Sequence, residues 1–228
     1  MNTVDYSSSI SQAAPELLTA ASWSPAHRPL WADAIKRAID FLGAATGLVF
    51  LFPVLAVIAI LIKLHDGGPV FYRRRVVGTQ GPFDAFKFRT MCTDADVMLQ
   101  NDPVMRQRFE ENFKLKSDPR VTKMGARLRK HSLDELPQLF NVLIGQMTLV
   151  GPRMITAEEL GKYGEYQAML RSVKPGLTGY WQVNGRQNLA YTQRVEMDLY
   201  YIAHWSLILD FRILAATPWR ALKGDGAF

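Results

Sequence analysis

The sequence predicts an α+β fold that is predominantly helical and attached to a membrane. Residues 41–62 form an apolar run of 22 residues without a charged side chain, which is typical of a membrane helix. Residues 70–77 and 83–90 are rich in residue types that favour strands, whereas most of the later chain has helical patterns. We therefore expect a re-entrant N-terminal membrane helix broken at Pro53, a β-hairpin, and a helical domain on the cytoplasmic face with amphipathic interfacial helices.

The composition is that of a folded chain with an anionic partner. Apolar residues make up 48% and charged residues 21% of 228 residues, which argues against overall disorder. The formal net charge of +6 suits nucleic acid, an anionic membrane surface or a phosphorylated substrate, and does not choose among them. Cys92 is the single cysteine, so an intramolecular disulfide and a cysteine metal cluster are excluded.

The chain divides into three predicted regions. Residues 1–30 are rich in Ser, Ala and Pro without periodicity, and we predict a flexible N-terminal tail. Residues 31–64 form the membrane anchor. Residues 65–228 form the domain on the cytoplasmic face.

The apolar run is long enough to cross a bilayer. As an α-helix it would measure roughly 33 Å, against a hydrocarbon core of about 30 Å. It is too long, and begins too far into the sequence, for a cleavable signal peptide. A buried core helix is the alternative that needs no membrane.

Pro53 near the middle of this run favours a helix that turns back. Proline lacks an N–H and clashes with the carbonyl four residues earlier, which kinks a helix. The flanks give no imbalance of positive charge that would orient a span, whereas a re-entrant helix keeps both flanks on the cytoplasmic side. A simple tilted span remains the alternative. The flanking cations are Arg28, Lys36 and Arg37 before the run, then Lys63 and Arg73–Arg75 after it, the last three suited to anionic headgroups.

The elements after the anchor follow from turn residues and periodicity. Gly78, Gly81 and Pro82 separate the two predicted strands and mark a hairpin turn. Residues 94–116 are polar and mostly helical, with an interruption near Asp102 and Pro103, and helical patterns return at residues 156–173. Residues 192–222 are apolar and aromatic, and either lie at the membrane interface or pack into the core.

Residues 128–153 hold the most informative candidate site. Asp134 and Glu135 are adjacent and are surrounded by cations. One explanation is structural: Ser132 and Glu135 match a capping box at a helix start. The other is chemical, because a helix N-terminus and nearby arginines would keep a carboxylate ionised and would also bind a diphosphate. The neighbouring cations are Arg127, Arg129, Lys130 and Arg153.

The Asp-Glu pair is sufficient for phosphoryl transfer. An ionised aspartate can attack phosphorus, and the neighbouring glutamate can hold Mg²⁺, which needs only one or two protein carboxylates when phosphates and waters complete its shell. The four histidines have no metal-ligand spacing, and no P-loop, dinucleotide-binding fingerprint or nucleophile elbow is present.

Four strings in order resemble one family. They are KFRTM at residues 87–91, SLDELPQLFNVL at 132–143, LVGPR at 149–153 and PGLTGYWQVNGR at 175–186. With the apolar helix before them, they resemble the bacterial sugar transferases, also called monotopic phosphoglycosyl transferases. The likeness covers residues 33–222, and the short N-terminal tail resembles the compact members that initiate exopolysaccharide synthesis.

The resemblance implies a role for each motif. Asp134 would be the nucleophile toward the β-phosphorus of a UDP-sugar, releasing UMP, and Glu135 would bind Mg²⁺. Met154 stands where the family has a second proline, so the shape of that loop is expected to differ, and no binding role is assigned to Gly78 or Gly81. The implied substrate-binding residues are Lys87, Arg89, Arg129, Arg153, Gln182, Asn184 and Arg186.

The resemblance also implies partners and location. The second substrate would be polyprenyl (undecaprenyl) phosphate, at the cytoplasmic face of a bacterial inner membrane and in contact with its lipids, with no nucleic acid. The hexose would be galactose or glucose, and a homodimer is left open. The rival functions are a non-catalytic scaffold of a polysaccharide assembly complex, a membrane-associated nucleic-acid binder and a Mg²⁺-dependent pyrophosphatase acting on lipid diphosphates.

Overall fold

The computed structural model describes residues 29–112, 115, 117–185 and 189–223, and it is mostly helical with two small sheets. The fold class is therefore confirmed in its main features. Short 3₁₀ turns at Leu133–Glu135 and Gly161–Tyr166 lie between the regular elements. In chain order these are α1 Leu30–Asp66, β1 Phe71–Val76, β2 Phe83–Phe88, α2 Ala95–Asn101, α3 Pro103–Asn112, α4 Lys123–Lys130, α5 Gln138–Leu143, β3 Thr148–Val150, α6 Ala157–Leu160, α7 Gln167–Arg171, β4 Gly176–Thr178, α8 Tyr180–Asn184, α9 Tyr191–Ala203 and α10 Leu207–Lys223.

Helix α1 contains the whole apolar run. Within the described part of the chain it is the one helix long and apolar enough, by length and composition, to cross a membrane, with a mean hydropathy of 2.8 in its most apolar window. The assigned helix continues through Pro53, so the proline does not interrupt it. It ends at Gly67, whose φ of +70° allows its N–H to bond to the Lys63 carbonyl at 3.0 Å. The re-entrant path stays a prediction.

The predicted hairpin is confirmed. Strands β1 and β2 pair antiparallel, with Phe71 opposite Phe88 and Val76 opposite Phe83. The turn residue Gly81 has a φ of +116°, a conformation that favours glycine. Both faces of β2 are covered, since Phe83 and Ala85 are buried in one hydrophobic cluster and Phe88 is buried in another.

A second sheet was not predicted from the sequence. Strands β3 and β4 are three residues each and pair in parallel, with Thr148 opposite Gly176 and Val150 opposite Thr178. Strands this short carry no detectable periodicity. Because β3 leads directly to Gly151 and Arg153, this sheet fixes the path of the third family string.

The helical predictions after the hairpin are confirmed. Helices α2 and α3 are separated at Asp102, immediately before Pro103. Residues 156–173 contain α6, a 3₁₀ turn and α7, with a break at Gly164, where φ is +52°.

The two helices within residues 192–222 differ in burial. Helix α9 packs into the core, where Leu199 and Tyr201 are buried. Helix α10 buries Ile213 but leaves large apolar side chains such as Phe211 and Trp219 exposed. The core interpretation is therefore confirmed for α9, whereas a position of α10 at the membrane interface stays a prediction.

Candidate active site

A cavity of about 1120 Å³ lies between the hairpin, the Leu133–Glu135 turn and the loop after β3. Helices α8 and α10 close its sides, and Leu51 of α1 contributes to its wall. Eight Lys and Arg residues line it against four Asp and Glu residues. This excess of positive charge suits an anionic ligand.

Asp134 lies in the cavity wall on an unusual turn. Ser132 immediately before it has a φ of +57°, and it is the one non-glycine residue with a positive φ among the residues described. The Ser132 side chain makes no cap hydrogen bond, so the capping-box interpretation is wrong. The turn is instead closed through the backbone, with the Leu136 N–H donating to the Leu133 carbonyl at 3.3 Å. Such a left-handed residue stores strain of order 1 kcal/mol or more, and strain of this kind occurs at functional sites.

Burial governs the ionisation of Asp134. The residue is only 7% exposed, and burial raises the pKa of its carboxyl above the ordinary value. The positive charge of Lys87 acts in the opposite direction, as does that of Arg129, while the negative charge of Glu135 adds to the rise in pKa. The cations lower this pKa, but burial has the larger effect on it, and the ionised state expected for Asp134 stays a prediction.

Two predicted cations lie beside the carboxylate pair. Lys87 Nζ donates to Glu135 Oε1 at 2.6 Å. Arg129 Nε donates to Thr90 Oγ1 at 2.9 Å. Burial lowers the pKa of the Arg129 guanidinium, and the nearby Asp134 charge opposes that change. Both cations are thus held close to Asp134 without a direct ion pair to it.

Arg153 is placed in the same cavity by the loop after β3. Its guanidinium lies 5.5 Å from the ring centre of Trp181, and its backbone N–H donates to Asp198 Oδ1 at 3.3 Å. Burial alone would lower the pKa of Arg153, but the carboxylates of Glu159 and Glu135 raise it. The guanidinium therefore stays charged although Arg153 is partly buried.

Other predicted binding residues have different placements. Arg89 lines the cavity, but its guanidinium is engaged by both carboxylate oxygens of Asp66. Gln182 lines the cavity and its Oε1 is buried without a hydrogen-bond partner. Asn184 is exposed, is not part of the lining, and donates to the Tyr180 carbonyl at 2.8 Å. Arg186 lies outside the described residues.

The structure adds cavity residues that sequence reasoning missed. Arg74 lines the cavity and pairs with the buried Glu159 at 2.9 Å, whereas the sequence analysis assigned it to headgroups. Strand alternation was the available signal, because Arg74 lies on the opposite face from its neighbours. Asp198 is 1% exposed and lies outside the lining, but it accepts a hydrogen bond from the backbone N–H of the lining residue Arg153 at 3.3 Å. Further lining residues are Arg120, His131 and Arg220.

The carboxylate pair fits a magnesium ion only together with a ligand. In the parts of the chain that the structure describes, no group of three or more His, Cys, Asp or Glu side chains could hold a metal ion. Asp134 and Glu135 supply two carboxylates, which is enough for Mg²⁺ when phosphates and waters complete the shell. They are insufficient for a typical structural zinc site, which takes four protein ligands.

Comparison with known proteins identifies the family. The family model described as bacterial sugar transferase matches residues 31–224. The chain is 42% identical over 199 residues to the undecaprenyl-phosphate galactose phosphotransferase of Salmonella typhimurium, covering 85% of this chain and 42% of that protein. It is 42% identical over 187 residues to the exopolysaccharide production protein ExoY of Rhizobium meliloti, covering 80% and 83% respectively.

A third relative is the UDP-glucose:undecaprenyl-phosphate glucose-1-phosphate transferase of Escherichia coli, 38% identical over 203 residues. That match covers 85% of this chain and 41% of the relative. Several relatives are thus much longer proteins, of which this chain spans about two fifths. Since the family model covers all four strings and every described cavity residue assigned above, the chain belongs to the bacterial sugar transferase family.

Proposed function

We propose that this chain transfers a hexose-1-phosphate from a UDP-sugar to polyprenyl phosphate and releases UMP, as the first membrane step of exopolysaccharide synthesis. One observation carries the proposal. The cavity holds a buried aspartate, its neighbouring glutamate and three cations, and part of its wall is Leu51 of the apolar helix. A nucleotide-sugar and a lipid phosphate would both find a suitable surface there.

Asp134 would form a covalent bond to the phosphosugar in a first step and release it in a second. A carboxylate oxygen attacks the β-phosphorus of the UDP-sugar, the bond from that phosphorus to the bridging oxygen breaks, and UMP leaves with the electron pair. An oxygen of polyprenyl phosphate then attacks the same phosphorus, and the Asp134 carboxylate is regenerated. The carboxylate is the attacking form, and Lys87 and Arg129 act to lower the pKa of Asp134 against the effect of burial.

The cations of the cavity would bind phosphate oxygens. Lys87 lies 2.6 Å from Glu135 and can move to a phosphate oxygen as the glutamate turns to another partner. Arg129 and Arg153 are guanidiniums, whose planar fork matches two phosphate oxygens. Their joint positive charge would stabilise the negative charge that develops on the transferred phosphoryl group.

Glu135, with Asp134 beside it, would hold the Mg²⁺ that the carboxylate pair fits. When bound, this ion would neutralise diphosphate charge and polarise the phosphorus–oxygen bond. The short contact with Lys87 keeps the Glu135 carboxylate in place inside the cavity. We expect that exchange of Lys87 for the metal accompanies substrate binding.

The contacts of α1 support a helix that enters and leaves on one face. Lys36 near one end pairs with Asp210, and Asp66 at the other end pairs with Arg89. These contacts lie about 45 Å apart along the helix, more than the thickness of the hydrocarbon core. Both contacts join α1 to the same domain. If α1 crossed the bilayer upright, that domain would have to extend from one membrane face to the other. We propose that the domain stays on the cytoplasmic face.

The test is release of UMP from a panel of UDP-sugars with Mg²⁺ and undecaprenyl phosphate. We expect galactose or glucose as the hexose, because relatives are named for each. Intact-mass spectrometry should detect an added hexose phosphate in the wild type and none in Asp134→Asn. A wild-type protein that never releases UMP would support the scaffold alternative. UMP release without a protein adduct would contradict the covalent role of Asp134.

A further inference from the structure

One edge of strand β3 pairs with no other strand in the described residues, and helix α1 lies along that edge. Its other edge pairs with β4. On the free edge, Asp40 Oδ1 accepts the Leu149 N–H at 2.8 Å, and Lys36 Nζ donates to the Val150 carbonyl at 2.9 Å. Two side chains of the helix thus satisfy backbone groups that a third strand would otherwise satisfy.

The contact between α1 and β3 is buried, and further hydrogen bonds hold both Asp40 and Lys36 in place. Asp40 is 4% exposed and its Oδ2 accepts from Thr148 Oγ1 at 2.7 Å. Lys36 Nζ also donates to Asp210 Oδ2 at 2.6 Å. The Tyr201 hydroxyl donates to Asp210 Oδ1 at 2.7 Å. A buried charge network with several hydrogen bonds holds one geometry because every alternative leaves a charge uncompensated.

Helix α1 can approach β3 this closely because the helix face that contacts it carries two glycines. Lys36, Asp40, Gly43 and Gly47 follow each other at intervals of three and four residues, so they share a face. A Cβ on Gly43 would lie 2.7 Å from Leu149 Cδ1, and one on Gly47 would lie 3.2 Å from Leu139 Cδ1. A side chain at Gly43 would therefore press on Leu149 of β3, and one at Gly47 would press on Leu139 of α5.

Strand β3 ends three residues before the cavity residue Arg153. Gly151 follows Val150, and its N–H donates to the Thr178 carbonyl at 3.0 Å. Arg153 lies two residues further and projects into the cavity. A change in the position of β3 is thus transmitted to the Arg153 guanidinium through three residues of hydrogen-bonded backbone.

We propose that Lys36 and Asp40 are positioning residues: through β3 they set the position of Arg153, so that the membrane helix forms part of the framework of the active site as well as the attachment to the membrane. This inference rests on the proposed function for its kinetic consequence. Its structural consequence does not depend on that function.

The kinetic test uses Lys36→Met in the full chain in membrane vesicles. We expect at least a tenfold loss of kcat/KM for UMP release, with Lys36→Arg recovering most of it because a donor and a charge are restored. Lys63→Met is the matched control, since Lys63 lies on the same helix, donates to the exposed Gly67 carbonyl, and does not contact β3. Equal losses in Lys36→Met and Lys63→Met would overturn the proposal.

A double-variant cycle separates positioning from general damage to the fold. In an Arg153→Ala background, Lys36→Met should cost less than twofold further, because the residue that it positions is gone. In a Lys87→Ala background, the full tenfold loss should remain. The same fold-loss in both backgrounds would mean that Lys36 acts through overall stability, and would overturn the assignment. Lys36→Gln replaces Lys36→Met if the latter is not recovered in the membrane fraction.

A second readout needs no activity. Amide hydrogen exchange of residues 149–153 should accelerate at least tenfold in Asp40→Asn and Lys36→Met and stay unchanged in Lys63→Met. Unchanged exchange in the first two variants would overturn the proposal. If exchange accelerates in Asp40→Asn and Lys36→Met but the wild-type protein releases no UMP, the structural link is retained and the proposed function is removed.

Discussion

The cavity and the interior behind β3 each contain a buried aspartate, and the two aspartates differ in the hydrogen bonds that they accept. Asp134 is 7% exposed and Asp210 is 6% exposed. Asp210 accepts hydrogen bonds from Lys36, Tyr201 and Trp205, at 2.6, 2.7 and 3.1 Å. Beside Asp134, the nearest cations are committed elsewhere, Lys87 to Glu135 and Arg129 to Thr90.

This difference separates a structural carboxylate from a reactive one. Three protein donors occupy the Asp210 oxygens, which is the arrangement of a structural carboxylate. A carboxylate that is desolvated near cations already bound to other groups keeps its reactivity and carries a cost in stability. Burial therefore has opposite consequences in the two regions, and four substitutions test this contrast.

The largest expected effect is on activity. Asp134→Asn should lower UMP release by about a thousandfold or more, because it removes the nucleophile. It should leave the thermal midpoint unchanged or raise it, since a neutral amide avoids the desolvation that raises the pKa of Asp134. Activity and differential scanning fluorimetry of the same sample measure both. A lowered midpoint would show that Asp134 is a structural carboxylate.

The opposite result is expected for the second aspartate. Asp210→Ala should destabilise the fold by about 3–5 kcal/mol, because it leaves the buried Lys36 ammonium without its partner. Chemical denaturation in detergent micelles measures this loss. Lys36→Met combined with Asp210→Leu should recover part of it, since no uncompensated charge remains. A single-variant loss below about 1 kcal/mol would remove the contrast.

A third aspartate gives a dependence of stability on pH. Burial raises the pKa of Asp198 to about 7, against the opposing effects of the Tyr163 hydroxyl and Arg153. The folded chain then holds a proton that the unfolded chain releases above pH about 4. Stability should therefore be highest at the acid side and fall as pH rises from about 4 to about 7, by up to roughly 4 kcal/mol. In an Asp134→Asn background, adding Asp198→Asn should flatten this dependence.

The smallest effect is expected at the surface. Arg106 and Glu110 form an exposed pair at 3.1 Å, one turn apart on α3. Arg106→Ala should change the free energy of unfolding by about 0.5 kcal/mol or less. This variant serves as the baseline for the Asp210 measurement. A loss as large as that of Asp210→Ala would show that burial does not explain the contrast.

The sequence predicted the elements that local chemistry determines. The hairpin follows from its turn residues, the break between α2 and α3 from Pro103, and the Asp134–Glu135 pair from the family strings. Lys87, Arg129 and Arg153, which lie in or beside the family strings, line the same cavity as Asp134. Their roles toward substrate stay predictions.

The features that were missed depend on distant parts of the chain. Arg89 pairs with Asp66, which is 23 residues away in sequence, and no local pattern indicates that partner. The free edge of β3 is filled by residues more than a hundred positions earlier. The burial that raises the pKa of Asp134 depends on the whole fold, so it could not be inferred from the neighbouring charges in sequence.

The stacking at Trp181 has a practical consequence. Its indole ring lies 5.5 Å from the guanidinium of Arg153 and 5.2 Å from that of Arg194, and it borders the cavity. Indole emission responds to nearby charge, so displacement of either guanidinium by a bound anion would alter the fluorescence of this ring. The chain thus carries its own optical reporter of occupancy, and with the other four tryptophans replaced by phenylalanine the arrival of a nucleotide could be followed in real time without a label.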